Sequence, residues 1–336
     1  MRPMTRKPAH AALDYADLTP DDFLAALERL GFACDGRFLA LNSYENRVYQ
    51  VGLDDGHSIV VKFYRPNRWT DEQILEEHTF TRELAEQEIS VVAPQVIDGS
   101  SLKLMDQFRL AVYPCRGGRA PELDNLDMLE QLGRLIARIH LVGEQQPFEH
   151  RPEVDVESYA IEPRDYLLDN DFIPPELHDA YLGVTDLLLE GIDQCAARSG
   201  GFDVLRLHAD FHPGNVLVNR DAFHIVDFDD CRSGPAVQDI WMFLSGDRSE
   251  QTPQLAAILD GYQQFRPFDA TELHLIEALR SMRIIHYAGW LAKRWTDPAF
   301  KQAFPWFDSV RYWDEHILTL REQVSAMQED PLEWRD

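Results

Sequence analysis

The sequence contains no apolar run of the length that crosses a membrane. A spanning helix needs about 18 or more consecutive apolar residues, and no stretch of these 336 residues approaches that length. Residues 1–16 carry basic side chains but no apolar core, so they predict no secretory signal. We therefore expect a loose N-terminal tail over residues 1–18, no membrane partner and a cytoplasmic location.

Cysteine is also scarce, and its spacing predicts no zinc ribbon. The four cysteines are scattered and form no C-x-x-C pair, which fits a reducing cytosol. His208 and His212 have the i,i+4 spacing of a helical metal pair, but Pro213 and Gly214 in the same loop make a helix unfavourable. We therefore interpret His208 as a structural residue of this loop.

Positive charge is the third shortage. Lysine and arginine number 32 against 58 aspartates and glutamates, which gives a formal net charge of −26. A nucleic-acid partner is not expected, because a phosphate backbone binds basic surfaces. The acidic surplus is attributed first to solubility, and attraction of a cationic ligand is the alternative.

The most informative segment present is a polar loop between two apolar strands, LHADFHPGNVL over residues 207–217. It holds Asp210 and Asn215 in an H-x-D-x4-N pattern, and Asp227 ends the next apolar strand. In kinases this pattern supplies an acid that accepts the hydroxyl proton, here Asp210, and two Mg²⁺ ligands, here Asn215 and Asp227. A Pro-Gly loop with capping side chains is the alternative, but acids at two strand ends favour the metal site.

A candidate phosphate-binding lysine lies on a predicted strand. Residues 58–64, SIVVKFY, alternate and are β-branched. Lys62 there resembles the lysine of the kinase V-A-I-K strand, which binds the α and β phosphates of ATP. A solvent-facing strand lysine is the alternative.

The helix after this strand provides a possible partner for Lys62. Thr70 and Gln73 predict a capping box at its start. Its predicted buried stripe consists of Ile74, Leu75, His78, Phe80, Leu84 and Ala85. Of the two acids early in the helix, Glu77 is predicted to lie on the packed side and to pair with Lys62, and Glu76 to be solvated.

A buried strand with a flexible joint behind it predicts the hinge of a kinase. Residues 108–114, FRLAVYP, form the strand, and the joint follows at residues 115–118. We expect adenine to bind near Val112, Tyr113 and Cys115, through backbone groups.

These segments together resemble the bacterial stress response kinase A family, within the aminoglycoside phosphotransferase and choline kinase superfamily. The matching segments are LNSYENRVYQV (41–51), VVKFYRPNRWT (60–70), QILEEH (73–78), LHADFHPGN (207–215), VDFDD (226–230), GPAVQDIWM (234–242) and KRWTDPAF (293–300). The resemblance implies an α+β, protein-kinase-like fold of two lobes and a serine/threonine kinase that depends on ATP and Mg²⁺. It implies the same roles for Asp210, Asn215 and Asp227, and it implies that Ser43 contacts ATP.

The turn that carries Ser43 departs from ordinary protein kinases. Their G-x-G-x-x-G loop lets backbone amides approach the phosphates, whereas the turn Asn42–Asn46 contains no glycine. Short Asn and Ser side chains can bend a tight turn and donate to an anion. The residues alone favour a plain hairpin turn, and only the resemblance favours an ATP contact.

Length and periodicity predict a β-rich N-lobe over residues 19–116 and a larger, mainly helical C-lobe over residues 117–336. Residues 146–175 are predicted to be less regular and to shape the acceptor site. Helices are expected near residues 19–30, 70–85, 125–142, 175–198, 237–244, 253–265, 270–295 and 310–327.

Asp239 is predicted to anchor the catalytic loop by accepting backbone amides, although an exposed acid in the first turn of a helix is the alternative. Only about ten residues separate Asp227 from this region, whereas an activation loop ending in A-P-E needs many more. We therefore predict activity without activation-loop phosphorylation. The C-terminal aromatic residues are interpreted as core, with an ammonium-binding box as the alternative.

Three functions compete. A protein serine/threonine kinase is favoured by the long sequence segments that match the stress response kinase A family. A kinase for small hydroxyl compounds is favoured by the missing activation loop and by the superfamily. A non-catalytic nucleotide-binding regulator is disfavoured, because Lys62, Asp210, Asn215 and Asp227 are all present. We expect a monomer in each case.

Overall fold

The structure, a computed structural model, describes residues 19–41, 43–105, 108–220 and 222–334. Within them the chain forms two compact units. The first combines the described residues up to Gly118 with Leu217–Asp229, and the second combines Arg119–Val216 with the described residues from Asp230 onward. The predicted tail, residues 1–18, and Asn42 of the predicted turn lie outside the described residues.

An antiparallel five-stranded sheet, in the order β1-β2-β3-β5-β4, forms the β part of the first unit. Its strands are β1 (Cys34–Ala40), β2 (Arg47–Leu53), β3 (Ser58–Phe63), β4 (Lys103–Met105) and β5 (Phe108–Pro114). In the central strand β3, Lys62 lies opposite Val48 of β2 and Ala111 of β5. The predicted bounds of β5 are confirmed.

Helix α1 (Pro20–Arg29) packs its apolar residues against this sheet. Thr19 caps it by accepting from the N–H of Asp22, as predicted. Phe23 stacks on Tyr49 with ring centroids 4.6 Å apart. Phe23 belongs to a continuous apolar cluster with residues of β2, β3 and β5, so burial of this face fixes the sheet on which Lys62 lies.

Helix α2 (Asp71–Glu86) begins with the predicted capping box of Thr70 and Gln73. Its buried residues are Ile74, Glu77, His78, Phe80, Thr81 and Leu84. The predicted stripe is wrong for Leu75, which is 39% exposed, and for Ala85, which is also exposed. Positions 74, 77, 81 and 84 have the spacing of one helix face, and the apolar residues next to them in the sequence, Leu75 and Ala85, lie outside that face.

The second unit is mainly helical. Its helices are α3 (Leu126–Gly143), α4 (Glu162–Asp169), α5 (His178–Ser199), α6 (Arg248–Tyr262), α7 (Ile276–Lys293), α8 (Pro298–Ala303) and α9 (Val310–Ala326). Short strands β6 (Leu205–Leu207) and β9 (Arg232–Gly234) pair antiparallel within it. The catalytic-loop motif follows β6 in the chain. After that motif, β7 (Val216–Asn219) and β8 (Ala222–Ile225) form a separate pair.

Several predicted helix boundaries are wrong. The helix expected near 237–244 is two short 3₁₀ turns, Ala236–Asp239 and Trp241–Phe243. Helix α6 begins five residues before the predicted Pro253, because Asp247 and Glu250 form a capping box and Pro253 lies within the helix. The helix expected from Ala270 begins as a 3₁₀ turn up to Leu275.

The stretch expected to be less regular, residues 146–175, contains ordered helix. A π-helical turn, Glu157–Ile161, leads directly into α4. Asp155 supports its start, because Oδ1 accepts from the N–H of Ser158 and Oδ2 from its hydroxyl. Pro163 lies in the first turn of α4, immediately after the π-helical turn.

Helices α3 and α6 cross at two glycines. A Cβ at Gly133 would lie 1.9 Å from the carbonyl oxygen of Ile258, and one at Gly261 would lie 1.9 Å from that of Glu130. The backbones therefore approach more closely than any side chain would permit.

The C-terminal aromatic residues divide between core and surface. Phe307 and Trp313 are buried, as the core interpretation predicts, whereas Tyr287 and Trp306 are exposed. Among the described residues, no helix is long and apolar enough to cross a membrane.

Candidate active site

Lys62 lies on β3 with a side chain that is only 7% exposed. Its Nζ is 2.9 Å from Asp227 Oδ1 and 3.0 Å from Asp229 Oδ1. Burial alone would lower the pKa of this lysine, but Asp227, Asp229 and Glu77 outweigh it and raise the pKa well above the ordinary value. Lys62 is therefore a permanent, fixed cation, as a phosphate-binding lysine must be.

Glu77 is buried on the sheet-facing side of α2, and its Oε1 lies 4.0 Å from Lys62 Nζ. The neighbouring acid, Glu76, is half-buried. The structure thus brings Glu77, rather than Glu76, to the lysine. The distance is longer than a hydrogen bond, and the two aspartates are the nearer partners of the ammonium.

Asp227 follows β8 and belongs to the first unit. Its backbone has a φ of 62°, in the left-handed region that non-glycine residues rarely adopt. The side chain is 51% exposed even though Oδ1 contacts Lys62. Such strained residues cluster at functional sites, and a carboxylate held beside a cation yet open to solvent can bind a further ion.

Asp229 and Arg68 belong to the same cluster, and the sequence did not predict them. Asp229 is buried, and its Oδ2 lies 2.5 Å from Arg68 Nη1. Asp229 therefore joins two cations, Lys62 and Arg68, through its two oxygens. Both residues lie in segments that match the family, VDFDD and VVKFYRPNRWT, but neither segment indicates the pair, because Arg68 and Asp229 lie 161 residues apart in the chain.

The turn over Ser43 is shaped by an arginine rather than by glycine. Ser43 Oγ accepts a hydrogen bond of 3.3 Å from the N–H of Asn46, whose Oδ1 accepts from the N–H of Arg65 at 3.0 Å. The guanidinium of Arg65 donates to the carbonyls of Tyr44 and Glu45, at 3.1 and 2.9 Å. These bonds hold a glycine-free turn in place, and no local sequence pattern predicted the part of Arg65.

The predicted hinge residues lie at the end of β5. The carbonyl of Val112 already accepts from the N–H of Gln95 at 2.7 Å. Cys115 is half-buried, and burial raises the pKa of its thiol. The carbonyl of Val112 is thus already hydrogen-bonded, and Pro114 has no N–H. The backbone groups of Cys115 are therefore the stronger candidates for an adenine contact.

Tyr113 of this hinge connects to the region behind Lys62. Its hydroxyl lies 3.0 Å from that of Tyr64, which lies 2.7 Å from His78 Nε2. His78 Nδ1 in turn lies 2.9 Å from Ser101 Oγ. Burial raises the pKa of both phenols, so they stay protonated and can donate. This chain of hydrogen bonds links β3, β5 and α2.

Asp239 anchors the loop that carries Asp210, as predicted. Its buried carboxylate accepts from the N–H of His208 at 2.9 Å and of Ala209 at 2.7 Å. His140 Nε2 lies 3.2 Å from the same carboxylate. Ala209 has a φ of 65°, so Asp239 stabilises a strained backbone immediately before Asp210.

The carboxylate of Asp210 is ion-paired. Its Oδ1 lies 2.6 Å from Arg283 Nη1, and its Oδ2 lies 3.6 Å from His212 Nε2. Burial would raise the pKa of Asp210, but Arg283, His212 and His208 outweigh it and hold the pKa well below its ordinary range. Asp210 is therefore a charged acceptor of hydrogen bonds at neutral pH. No sequence pattern predicted the contact with Arg283, because the pair spans 73 residues.

Asn215 lies in a 3₁₀ turn, Pro213–Asn215, and is buried. Its Nδ2 donates to the carbonyl of Asp210 at 2.9 Å. The second unit thus brings Asp210 and Asn215 together, and the first brings Lys62, Glu77 and Asp227 together. The amide oxygen of Asn215 and the carboxylate of Asp227 are each hard donors of the type that Mg²⁺ binds.

Comparison with known proteins identifies the family. A family model described as "Phosphotransferase enzyme family" matches residues 37–276. The chain is 45% identical over 324 residues to "Stress response kinase A" of Escherichia coli K12, covering 96% of this chain and 98% of that protein. The chain belongs to the phosphotransferase enzyme family, and within it to the stress response kinase A family. It is therefore a kinase-type phosphotransferase, which confirms the resemblance of the motifs.

A further relative and two solved structures agree with this assignment. The relative is "Serine/threonine protein kinase RdoA" of Salmonella typhimurium LT2, 42% identical over 96% of this chain and 97% of its own. An amicoumacin kinase in complex with AMP-PNP and Ca²⁺ has a TM-score of 0.70 at 20% identity, covering 94% and 96% of the two chains. A microcompartment-associated aminopropanol kinase has a TM-score of 0.68 at 18% identity, and the match covers 91% of this chain and 98% of that one. These structures confirm the predicted α+β, kinase-like fold of a family member.

Proposed function

We propose that this family member is an ATP- and Mg²⁺-dependent serine/threonine protein kinase, with Asp210 as the acceptor of the hydroxyl proton. The observation that best supports nucleotide binding is the 2.9 Å contact between Lys62 and Asp227, which lie 165 residues apart in the sequence. A buried lysine beside a half-exposed aspartate is the pairing that phosphate and metal binding require.

Each residue has one role in this proposal. Lys62 binds the α and β phosphates, with its charge maintained by neighbouring carboxylates. Asp227 and Asn215 hold Mg²⁺, which when bound screens the charge on the phosphate oxygens. Ser43 and the turn held by Arg65 cover the phosphates, and backbone groups near Cys115 bind adenine.

Asp210 acts on the acceptor. Its carboxylate is ionised and held in place, so it can orient the hydroxyl and take its proton as the oxygen attacks the γ-phosphorus. The low pKa of Asp210 is compatible with this role, because positioning and electrostatic stabilisation supply most of the catalysis in phosphoryl transfer.

The protein acceptor is supported by the relatives that cover nearly the whole chain, one of which is described as a serine/threonine protein kinase. A small hydroxyl compound is the second candidate. It is supported by the short segment after Asp227 and by solved structures described as amicoumacin and aminopropanol kinases.

Transfer of radiolabelled phosphate from ATP with Mg²⁺ separates these candidates. One reaction contains dephosphorylated casein, and parallel reactions contain choline, homoserine or kanamycin. We expect label in protein, including autophosphorylation, and its loss in Asp210→Ala with ATP binding retained. Asp54→Ala, an exposed acid of the first unit, is the control. Label confined to a small compound would replace the first candidate by the second. Binding of ATP without any Asp210-dependent transfer would indicate a non-catalytic regulator.

A further inference from the structure

Arg283 lies outside every motif that identified the site, yet it makes the closest contact to the proposed proton acceptor. It is on α7, and its Nη1 lies 2.6 Å from Asp210 Oδ1. Arg283 is half-buried, and Asp210 is a quarter exposed. A charge-assisted bond of this length between partly buried groups is strong and directional.

The backbone of the catalytic loop is fixed without Arg283. Asp239 accepts from the N–H of Ala209, and Gln238 Nε2 donates to the carbonyl of Ala209 at 2.7 Å. Asn215 Nδ2 donates to the carbonyl of Asp210. These bonds determine where the Cα of Asp210 lies, but none of them touches its carboxylate.

The orientation of that carboxylate depends on a different set of contacts. His212 Nε2 is 3.6 Å from Oδ2, which is longer than a hydrogen bond. Among the residues that the structure describes, Arg283 is therefore the one whose side chain contacts the carboxylate of Asp210 at hydrogen-bond distance, and it does so through Oδ1. The other oxygen, Oδ2, remains the one suited to receive a proton.

Arg283 is itself well placed to act as a fixed support. Helix α7 packs against α4 and the π-helical turn that precedes it. The carboxylate of Asp230 also interacts electrostatically with the guanidinium. Tyr159 is buried and stacks on His286 of α7 with ring centroids 4.5 Å apart. A π-helical turn often marks a functional site, and here it supports the helix that carries Arg283.

We propose that Arg283 is a positioning residue: it holds Oδ1 of Asp210, so that Oδ2 accepts the proton of the acceptor hydroxyl. The proposal rests on the proposed function, because it concerns the same proton transfer. It predicts a role in the chemical step and none in nucleotide binding.

Steady-state kinetics of four proteins test the proposal, with casein as acceptor. Arg283→Met removes the charge and the hydrogen bond, and we expect kcat to fall about 100-fold with KM for ATP changed less than about twofold. Arg283→Lys keeps the charge and should restore part of kcat. Arg280→Met is the matched control on the same helix, since Arg280 pairs with Glu277, and it should leave kcat unchanged.

A double-mutant cycle with Asp210→Asn shows whether Arg283 acts through Asp210. In the Asp210→Asn background, Arg283→Met should cause no further loss of residual turnover. An additive loss, or a normal kcat in Arg283→Met, would overturn the positioning role while leaving the proposed function intact. Absence of Asp210-dependent transfer in the unmodified protein would overturn both, so the two failures are distinguishable. Far-UV circular dichroism of Arg283→Met, compared with Arg280→Met, checks that a loss of kcat is not a loss of fold.

Discussion

Glu272 accepts a hydrogen bond of 2.8 Å from the backbone N–H of Val237, two residues before Asp239. Glu272 is buried beside the 3₁₀ turn that carries Asp239, so it supports the residue that anchors the catalytic loop. Burial raises the pKa of Glu272 from 4.5 to about 7, even though the N–H of Val237 opposes this shift.

This raised pKa predicts a pH-dependent stability. The pKa of Glu272 is 4.5 in the unfolded state and about 7 in the folded state. Between these two pH values the folded protein binds the proton more tightly than the unfolded protein does. Glu272 therefore contributes stability below pH 4.5, and the contribution is lost as the pH rises through about 7. Urea unfolding should show Glu272→Gln gaining roughly 2 kcal/mol relative to the unmodified protein between pH 5 and pH 8. Parallel stability curves for the two proteins would contradict the prediction.

Replacement of Asp239 should destabilise the second unit as well as abolish turnover. Asp239→Ala leaves the amides of His208 and Ala209 and the ring of His140 without their buried acceptor. Each unsatisfied group costs about 1–3 kcal/mol, so we expect a loss of roughly 3–5 kcal/mol in urea unfolding. Asp186→Ala, which removes a largely exposed partner of Arg164, should change stability by less than about 1 kcal/mol. Equal losses in the two variants would contradict an anchoring role.

Asp227→Ala should weaken the binding of Mg²⁺-ATP itself. It removes the half-exposed carboxylate proposed to bind the metal, and we expect Kd to rise roughly tenfold or more. Isothermal titration of ATP with Mg²⁺, repeated in EDTA, measures the change. The Mg²⁺-dependent part of the affinity should disappear in Asp227→Ala and persist in Asp54→Ala. An unchanged affinity with Mg²⁺ would count against Asp227 as a metal ligand.

Close packing of α3 on α6 makes Gly261 sensitive to a single methyl group. Its Cβ would lie 1.9 Å from a backbone carbonyl oxygen, which cannot move without shifting a helix. Gly261→Ala should lower the free energy of unfolding by roughly 2–3 kcal/mol. At Gly183, an exposed residue of α5, an added Cβ would point into open space. Gly183→Ala should therefore stabilise by up to about 1 kcal/mol, and a loss of stability there would contradict the comparison.

Activity should not require phosphorylation of the segment after Asp227. Residues 228–236 contain one hydroxyl side chain, Ser233, and it is buried. Its N–H donates to the carbonyl of Pro152 at 3.1 Å, and its carbonyl accepts from Val154 at 2.8 Å. Phosphatase-treated protein should keep full turnover, with mass spectrometry confirming an unmodified segment. Dependence of turnover on a phosphate in this segment would show that a regulated loop exists.

Local signals in the sequence were sufficient for several elements. The capping box at Thr70, the N-cap at Thr19 and the bounds of β5 depend on residues within one turn or one strand. The anchoring role of Asp239 was also predictable, because a buried acid close to a catalytic loop has few other uses. The capping box at Asp247 was overlooked, because Pro253 resembled a first helical residue.

The ion pairs of the site could not be predicted in the same way. Arg68 reaches Asp229 across 161 residues, and Arg283 reaches Asp210 across 73. Arg283 lies in no recognised motif, and the segment that contains Arg68 does not indicate which residue it pairs with, since each position is set by the packing of a whole helix or loop. The segment after Pro235 was predicted as one helix, because its buried apolar residues do not distinguish two 3₁₀ turns from an α-helix.

The segment Leu217–Asp229 belongs to the first unit, although the chain on both sides of it belongs to the second. A gene fragment that ends at Gly118 would encode Lys62 but neither aspartate that neutralises it, and a buried cation without counter-charges is unfavourable. The first unit is therefore not encoded by one contiguous stretch of the gene. Recombination between relatives would have to transmit both stretches together, which ties the evolution of the lysine strand to that of a sequence more than 150 residues downstream.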